Sequence, residues 1–159
     1  MEVRRRRGRH RAGWGHRRVS LWANCRSVIF VDSSFWIAVR FARDARHEPA
    51  VDLLRLHHEA PLLTSNLVRG ETWTFLRRRV GHHSAVHFLD GLDETPRLSV
   101  RPVGEELEKE ALGWLRRHDE RPYSFVDATS FALMRSLQIS EALAFDGDFA
   151  AAGFVELRA

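Results

Sequence analysis

Cysteine is almost missing from this chain: Cys25 is the only one among 159 residues. That excludes an internal disulfide framework and any zinc site built on several thiolates, and it leaves Cys25 the expected role of an ordinary thiol near a disordered end. Lysine is as scarce, with Lys109 alone, so arginine carries nearly all the positive charge. No apolar run approaches the length of a membrane-spanning helix, and no apolar segment follows the positive charges at the N-terminus. Neither a transmembrane segment nor a secretory signal is supported, and a cytoplasmic protein without membrane contact is expected. Internal repeats and low-complexity segments are also lacking. What is present is 44% hydrophobic residues with 10% aromatics, enough to bury the core of one domain.

The net charge of +4 suggests a nucleic-acid binder until it is divided along the chain. Residues 1–27 hold nine Arg against one Glu, whereas residues 28–159 carry a net −4. The basicity therefore belongs to "RRRRGRHRAGWGHRR", which lacks apolar periodicity and is expected to be a flexible extension able to touch phosphate without base specificity. An upstream start site that adds non-native residues, or surplus arginine from coding bias, is the competing explanation and is preferred to a functional arm. The domain boundary is placed at residue 27, with the folded unit at 28–159.

Past that boundary, "VIFVD" reads as a buried strand ending on a carboxylate. Helices are expected at 33–44 and 48–59, then a short strand at "PLLTS". Asn66 is expected to cap a helix "LVRGETWTFLRRRV", followed by a helix in "HSAVHFLDGL" and a strand in "RLSVRPV". A helix over 104–119, a helix over 124–138 that is apolar on nearly all sides, a strand "EALAF", a short helix in "DGDFAAAG" and a last strand "FVELR" complete the pattern. Strands separated by helices imply parallel pairing through right-handed crossovers. The expected fold is α/β, in three α/β/α layers around a central parallel sheet.

In such sheets ligands bind beyond the carboxyl ends of the strands, where strand order reverses. Asp32 follows one strand and Asp146 another, with Asp148 two residues on. Glu71 lies between Leu67 and Phe75 at four-residue spacing, on an expected inward face, and Asp127 stands in the first turn of the most apolar helix. Carboxylates gathered in one place raise one another's pKa, and desolvation adds to the cost. A divalent cation removes the conflict, and all-oxygen ligation selects Mg²⁺ or Mn²⁺ over zinc. Such a metal lowers the pKa of a bound water and neutralises charge on a phosphodiester under attack. Each acid also has an ordinary structural reading: Asp32 caps a helix, Ser124 with Asp127 forms a capping box, and Asp146-Gly147 makes a turn.

Together, "VIFVDSSFWIA", the Glu of "LVRGETW", "YSFVDATSFALM" and "ALAFDGDFAAAGF" resemble the PIN-domain ribonucleases, and within them the VapC toxins of toxin–antitoxin pairs. The resemblance spans residues 28–158 in order. It implies a parallel sheet sandwiched by helices and an acidic quartet of Asp32, Glu71, Asp127 and Asp146 that binds Mg²⁺ or Mn²⁺ and activates water for endonucleolytic RNA cleavage. Asp148 can share or take over the last ligand position, and Ser33, or in second place Ser34, assists by hydrogen bonding. The resemblance further implies a homodimer, a cognate antitoxin whose peptide lies in the active-site groove, and a structured target such as transfer or ribosomal RNA. The chain departs from the family pattern in its N-terminal extension and at Ala144, where Ser or Thr is usual.

Arg77, Arg78 and Arg79 are candidates for guiding RNA, because a domain of net negative charge needs local positive surface to hold a polyanion. His83 and His87, four apart, are expected to be ordinary surface imidazoles, and Trp36, Trp73 and Trp114 core or dimer contacts. Two competing functions are weighed. One is a non-catalytic PIN-fold module binding RNA or protein; the other is a haloacid-dehalogenase-like phosphohydrolase with Asp32 as nucleophile, which would want an Asp where Ser34 stands.

Overall fold

The computed structural model describes residues 27–158. The basic extension, Cys25 included, lies outside the described residues except for Ser27. Five strands form one all-parallel sheet in the order β3-β2-β1-β4-β5: β1 Ile29–Val31, β2 Leu62–Ser65, β3 Leu98–Arg101, β4 Glu141–Leu143 and β5 Val155–Glu156. Central β1 pairs with β2 through Ile29↔Leu62 and with β4 through Val31↔Leu143. All three of its residues are buried, as a strand covered on both faces requires.

Seven helices connect the strands: α1 Ser33–Arg40, α2 His47–Leu56, α3 Asn66–Arg79, α4 His82–Asp93, α5 Glu105–Leu115, α6 Phe125–Ser136 and α7 Asp148–Ala151. From β1 the chain steps outward through β2 to β3, then crosses back to β4 and on to β5. Right-handed crossovers put α1 to α4 on one face and α5 to α7 on the other, the expected three layers. Aromatic rings fill both interfaces. Phe30 stacks on Phe149 at 5.8 Å, and Phe131 meets Phe149 and Trp114 edge-on at 5.0 and 5.3 Å. On the other side Trp36 packs against Phe88 at 6.0 Å, while Phe35 stacks on Phe145 at 5.3 Å. Trp36 and Trp114 are core residues and Trp73 is half-buried, in line with the sequence.

Several boundaries differ from expectation. The first helix stops at Arg40 instead of Asp44, because the Asp44 carboxylate accepts from the backbone N–H of Arg46 at 2.8 Å and offers the chain a turn in place of another helical turn. The cap of α3 is Ser65, whose hydroxyl accepts from the Val68 N–H; Asn66 instead accepts from the Val103 N–H at 2.8 Å. Strand β4 ends at Leu143, since the Phe145 amide turns to a side chain of α1. Within α4, Gly91 weakens the helix by about 1 kcal/mol relative to Ala. A Cβ there would stand 2.1 Å from Arg40 Nη2, so the missing side chain makes room for a guanidinium.

Candidate active site

Strand order reverses between β1 and β4, and both leave a carboxylate at that switch point. The chain turns from β1 straight into α1 through Asp32, which caps the helix: its Oδ2 accepts from the Ser34 N–H at 2.8 Å. Oδ1 of the same carboxylate is buried and has no hydrogen-bond partner among the described residues. Across the switch, Asp146 Oδ1 accepts from the Asp148 N–H at 3.0 Å, and Gly147 between them adopts φ +81°, a conformation in which a side chain is strained. On α6 the capping box is complete, with Ser124 N–H donating to Asp127 Oδ2 at 2.7 Å and Asp127 N–H to the Ser124 hydroxyl at 3.0 Å. The capping readings of Asp32 and Asp127 are therefore real. Each cap uses one carboxylate oxygen and fixes where the other points.

Asp127, Asp146 and Asp148 each bring a carboxylate oxygen within 4.8 Å of the others. Asp32 lies outside that trio yet feels it. Burial, then the charge of Asp146, pushes its pKa up to about 7, against hydrogen bonds from the Ser34 hydroxyl and N–H that lower it; Asp127 adds a further rise. Burial also lifts Asp127 to about 6, opposed by its hydrogen bonds with Ser124 and reinforced by Asp146 and Asp148. A buried oxygen without a partner, two acids that resist ionisation and a purely oxygen donor set fit a hard divalent cation.

The other predicted residues take distinct places. Glu71 stands apart from the trio, in an adjoining groove of about 490 Å³ between α3 and α6. It is half-buried one position off the Val68, Thr72, Leu76 stripe that α3 turns to the core, so it faces Val126 and the groove instead of the interior expected for it. Arg78 and Arg79 line the same groove; Arg77 is exposed and does not. Asp146 is exposed, unlike the burial expected of all four acids, because it sits on the open turn after β4. Of the two serines after Asp32, Ser34 contacts both strand ends: its N–H donates to Asp32 Oδ2 and its hydroxyl accepts from the Phe145 N–H at 3.0 Å. Ser34 thereby steadies the strand end where Ala144 lacks a hydroxyl. His83 and His87 are exposed, as expected.

Sequence reasoning missed two arginines. Arg121, on the loop before α6, donates from Nε to Asp148 Oδ1 at 2.6 Å and from Nη2 to the Asp146 carbonyl at 3.2 Å. Arg46, at the N-terminus of α2, lies over the Phe145 ring at 5.6 Å and near enough to Asp146 for that charge to raise its pKa, after the larger effect of its pairing with Asp44. Neither belongs to an apolar periodic segment, so no pattern signalled them.

A family model described as PIN domain matches residues 29–155. Two curated proteins named 23S rRNA-specific endonuclease VapC20, from Mycobacterium tuberculosis strains CDC 1551 / Oshkosh and ATCC 25618 / H37Rv, are each 54% identical over 133 residues, covering 82% of this chain and 98% of theirs. A crystal structure of Mycobacterium tuberculosis VapC20, described as a sarcin-ricin loop cleaving toxin, is similar with a TM-score of 0.77 and 53% identity, covering 84% of this chain and all of that one. The fold is also shared with FitAcB from Neisseria gonorrhoeae, at a TM-score of 0.59 and 14% identity over 82% of this chain and 96% of that one. The chain belongs to the PIN-domain family and, within it, to the VapC toxins, metal-dependent endoribonucleases. Membership of that family, with Ser34 where a second Asp would be wanted, sets aside the phosphohydrolase reading weighed from sequence. Among the described residues no helix is long and apolar enough to cross a membrane.

Proposed function

We propose that this chain cleaves 23S ribosomal RNA at a structured loop with Mg²⁺ or Mn²⁺, and that Asp32, Glu71, Asp127 and Asp146 form the acidic site. The observation that carries the reading is the trio of facing carboxylates beside the partnerless buried oxygen of Asp32. The target is supported by the name shared by two relatives with half their residues identical to this chain. The cation, when bound, supplies charge neutralisation at the phosphodiester and a more acidic water.

The chain's own residues do the positioning. Asp32 and Asp127 are oriented by their caps, with one oxygen each tied to the backbone and the other left for the site. Ser34 holds the strand end that presents Asp146. Asp148 is engaged by Arg121, which favours Asp146 as the last ligand and Asp148 as its support. Glu71 lines the groove with Val126, the residue before Asp127, which supports a role for it on the RNA-facing side of the site. Arg77, Arg78 and Arg79 supply positive charge along α3 to guide the polyanion. As a VapC toxin the chain is further proposed to act in the cytoplasm as a homodimer and to be held inactive by a cognate antitoxin in the groove.

The test is incubation of the purified protein with ribosomes and with isolated 23S RNA, followed by primer extension. One specific cut with Mg²⁺ or Mn²⁺, lost in EDTA and in Asp127→Asn with an unchanged circular dichroism spectrum, is expected. Intact RNA under all metal conditions would overturn the proposal.

A further inference from the structure

We propose that Arg40, Arg43 and Arg79 form a second phosphate-binding subsite, which grips the RNA backbone away from the bond being cut; this rests on the reading that RNA is the substrate. The three guanidinium-bearing residues line one pocket of about 380 Å³ at the junction of the C-terminal ends of α1 and α3, and no acidic residue shares its lining. Among the described residues none of the three forms an ion pair, in contrast to Arg46, Arg55, Arg121 and Arg158, which all do. Arginines that line one concavity without a paired acid repel one another, and an oxyanion relieves that repulsion while accepting forked hydrogen bonds.

Arg40 gives the pocket a fixed element. Its Nε is buried without a partner among the described residues, and burial lowers its pKa. Its guanidinium lies over Gly91, where any side chain would collide with Nη2. A glycine inside a helix is unfavourable in itself, so its presence here is explained by the seat it leaves for the guanidinium.

Arg79 lines both this pocket and the groove that holds Glu71, which argues for the substrate as occupant. Glu71 and Arg79 are eight residues apart on α3, about 12 Å along the helix axis. A strand of RNA that runs along α3 past Glu71 therefore carries a further phosphate within reach of Arg79.

The test measures anisotropy of a fluorescein-labelled RNA stem-loop in EDTA, at several salt concentrations, with the full chain. Arg43→Gln/Arg79→Gln is expected to bind at least tenfold more weakly, and the slope of log Kd against log salt falls by about 1.5, as two lost phosphate contacts require. Gly91→Ala removes no charge and favours its helix, yet it displaces the Arg40 guanidinium; binding about threefold weaker with an equal or higher Tm is expected. Unchanged affinity and slope in both variants would overturn the subsite. So would RNA binding like that of the wild type with loss of binding to a labelled poly-glutamate peptide, which would make the pocket a seat for an acidic protein segment. Cleavage by the wild type with Mg²⁺ is read separately. If the wild type cuts but the variants bind normally, only the subsite falls; if the variants lose RNA affinity but no metal supports cutting, the nuclease reading falls and the subsite stands.

Discussion

The Ser34 hydroxyl accepts from the backbone N–H of Phe145 at 3.0 Å while the Ser34 backbone N–H donates to Asp32 Oδ2 at 2.8 Å, so one residue ties the two strand ends that carry acids into a single unit. Replacing Ser34 by Ala leaves the Phe145 N–H without its partner and removes the hydroxyl that helps to lower the Asp32 pKa. Thermal unfolding is expected to show a loss of about 1–2 kcal/mol. Cleavage should fall by more than the stability change explains, through kcat rather than KM, because Asp146 loses its placement. Equal activity in a destabilised Ser34→Ala would show that the bond serves folding only.

Asp32 and Asp127 make the metal-free protein sensitive to pH in a direction opposite to ordinary ion-paired acids. With folded pKa values of about 7 and about 6 against an ordinary 3.8, the folded state binds more protons than the unfolded state between roughly pH 4 and 7. Stability from these groups is full below about pH 4 and is lost as pH rises to 7. In EDTA, urea unfolding of Asp32→Asn is expected to exceed the wild type by on the order of a few kcal/mol at pH 7 and to match it near pH 4. Saturating Mg²⁺ should stabilise the wild type at pH 7 and leave the variant almost unmoved. A gap that is the same at both pH values would contradict the assignment.

How far the site could be read beforehand depended on the kind of signal. Asp32 was legible because an apolar run ending on an acid has few explanations in a parallel sheet, and Asp127 because Ser124 marks the helix start three residues earlier. The partner of Asp32 was harder: Ser33 and Ser34 are one residue apart, and only the phase of α1 against the end of β4 selects Ser34. Glu71 shows the limit of periodicity. Its spacing indicates a face of α3, but whether that face meets the core or a groove depends on where α6 packs. Arg46 and Arg121 lie on irregular segments, and their closeness to Asp146 and Asp148 is a product of tertiary structure alone. The Asp44 turn that shortens α1 is local, yet it competes with an equally local helical pattern, and propensity does not decide between them.

Gly147 carries the turn from Asp146 to Asp148 at φ +81°, where an L side chain is disfavoured by roughly 1 kcal/mol or more. Space is not the obstacle, since a Cβ would lie 3.6 Å from Arg121 Nη2, an ordinary contact. Gly147→Ala is therefore expected to shift the turn rather than block it. The Asp148 N–H then leaves Asp146 Oδ1, and cleavage drops about tenfold or more while Tm falls only a few degrees. A fully active Gly147→Ala would mean that the trio tolerates another turn.

Arg121 is the only cation paired with the carboxylate trio among the described residues, through Asp148. Its charge competes with a divalent ion for the same field. At a separation of about 6 Å in a water-like dielectric, a unit charge and a divalent cation repel by about 1.4 kcal/mol, a factor of ten in affinity. Arg121→Gln should accordingly bind Mn²⁺ several-fold more tightly than the wild type by calorimetry at low ionic strength, with the difference shrinking as salt is added. Cleavage moves the other way, because Asp148 loses the bond that holds it and Asp146 loses the contact at its carbonyl. Tighter metal binding with slower turnover separates a positioning arginine from a ligand-like one. Weaker Mn²⁺ binding in Arg121→Gln would instead show that Arg121 builds the metal site, and that the field of the three acids is not what draws the ion.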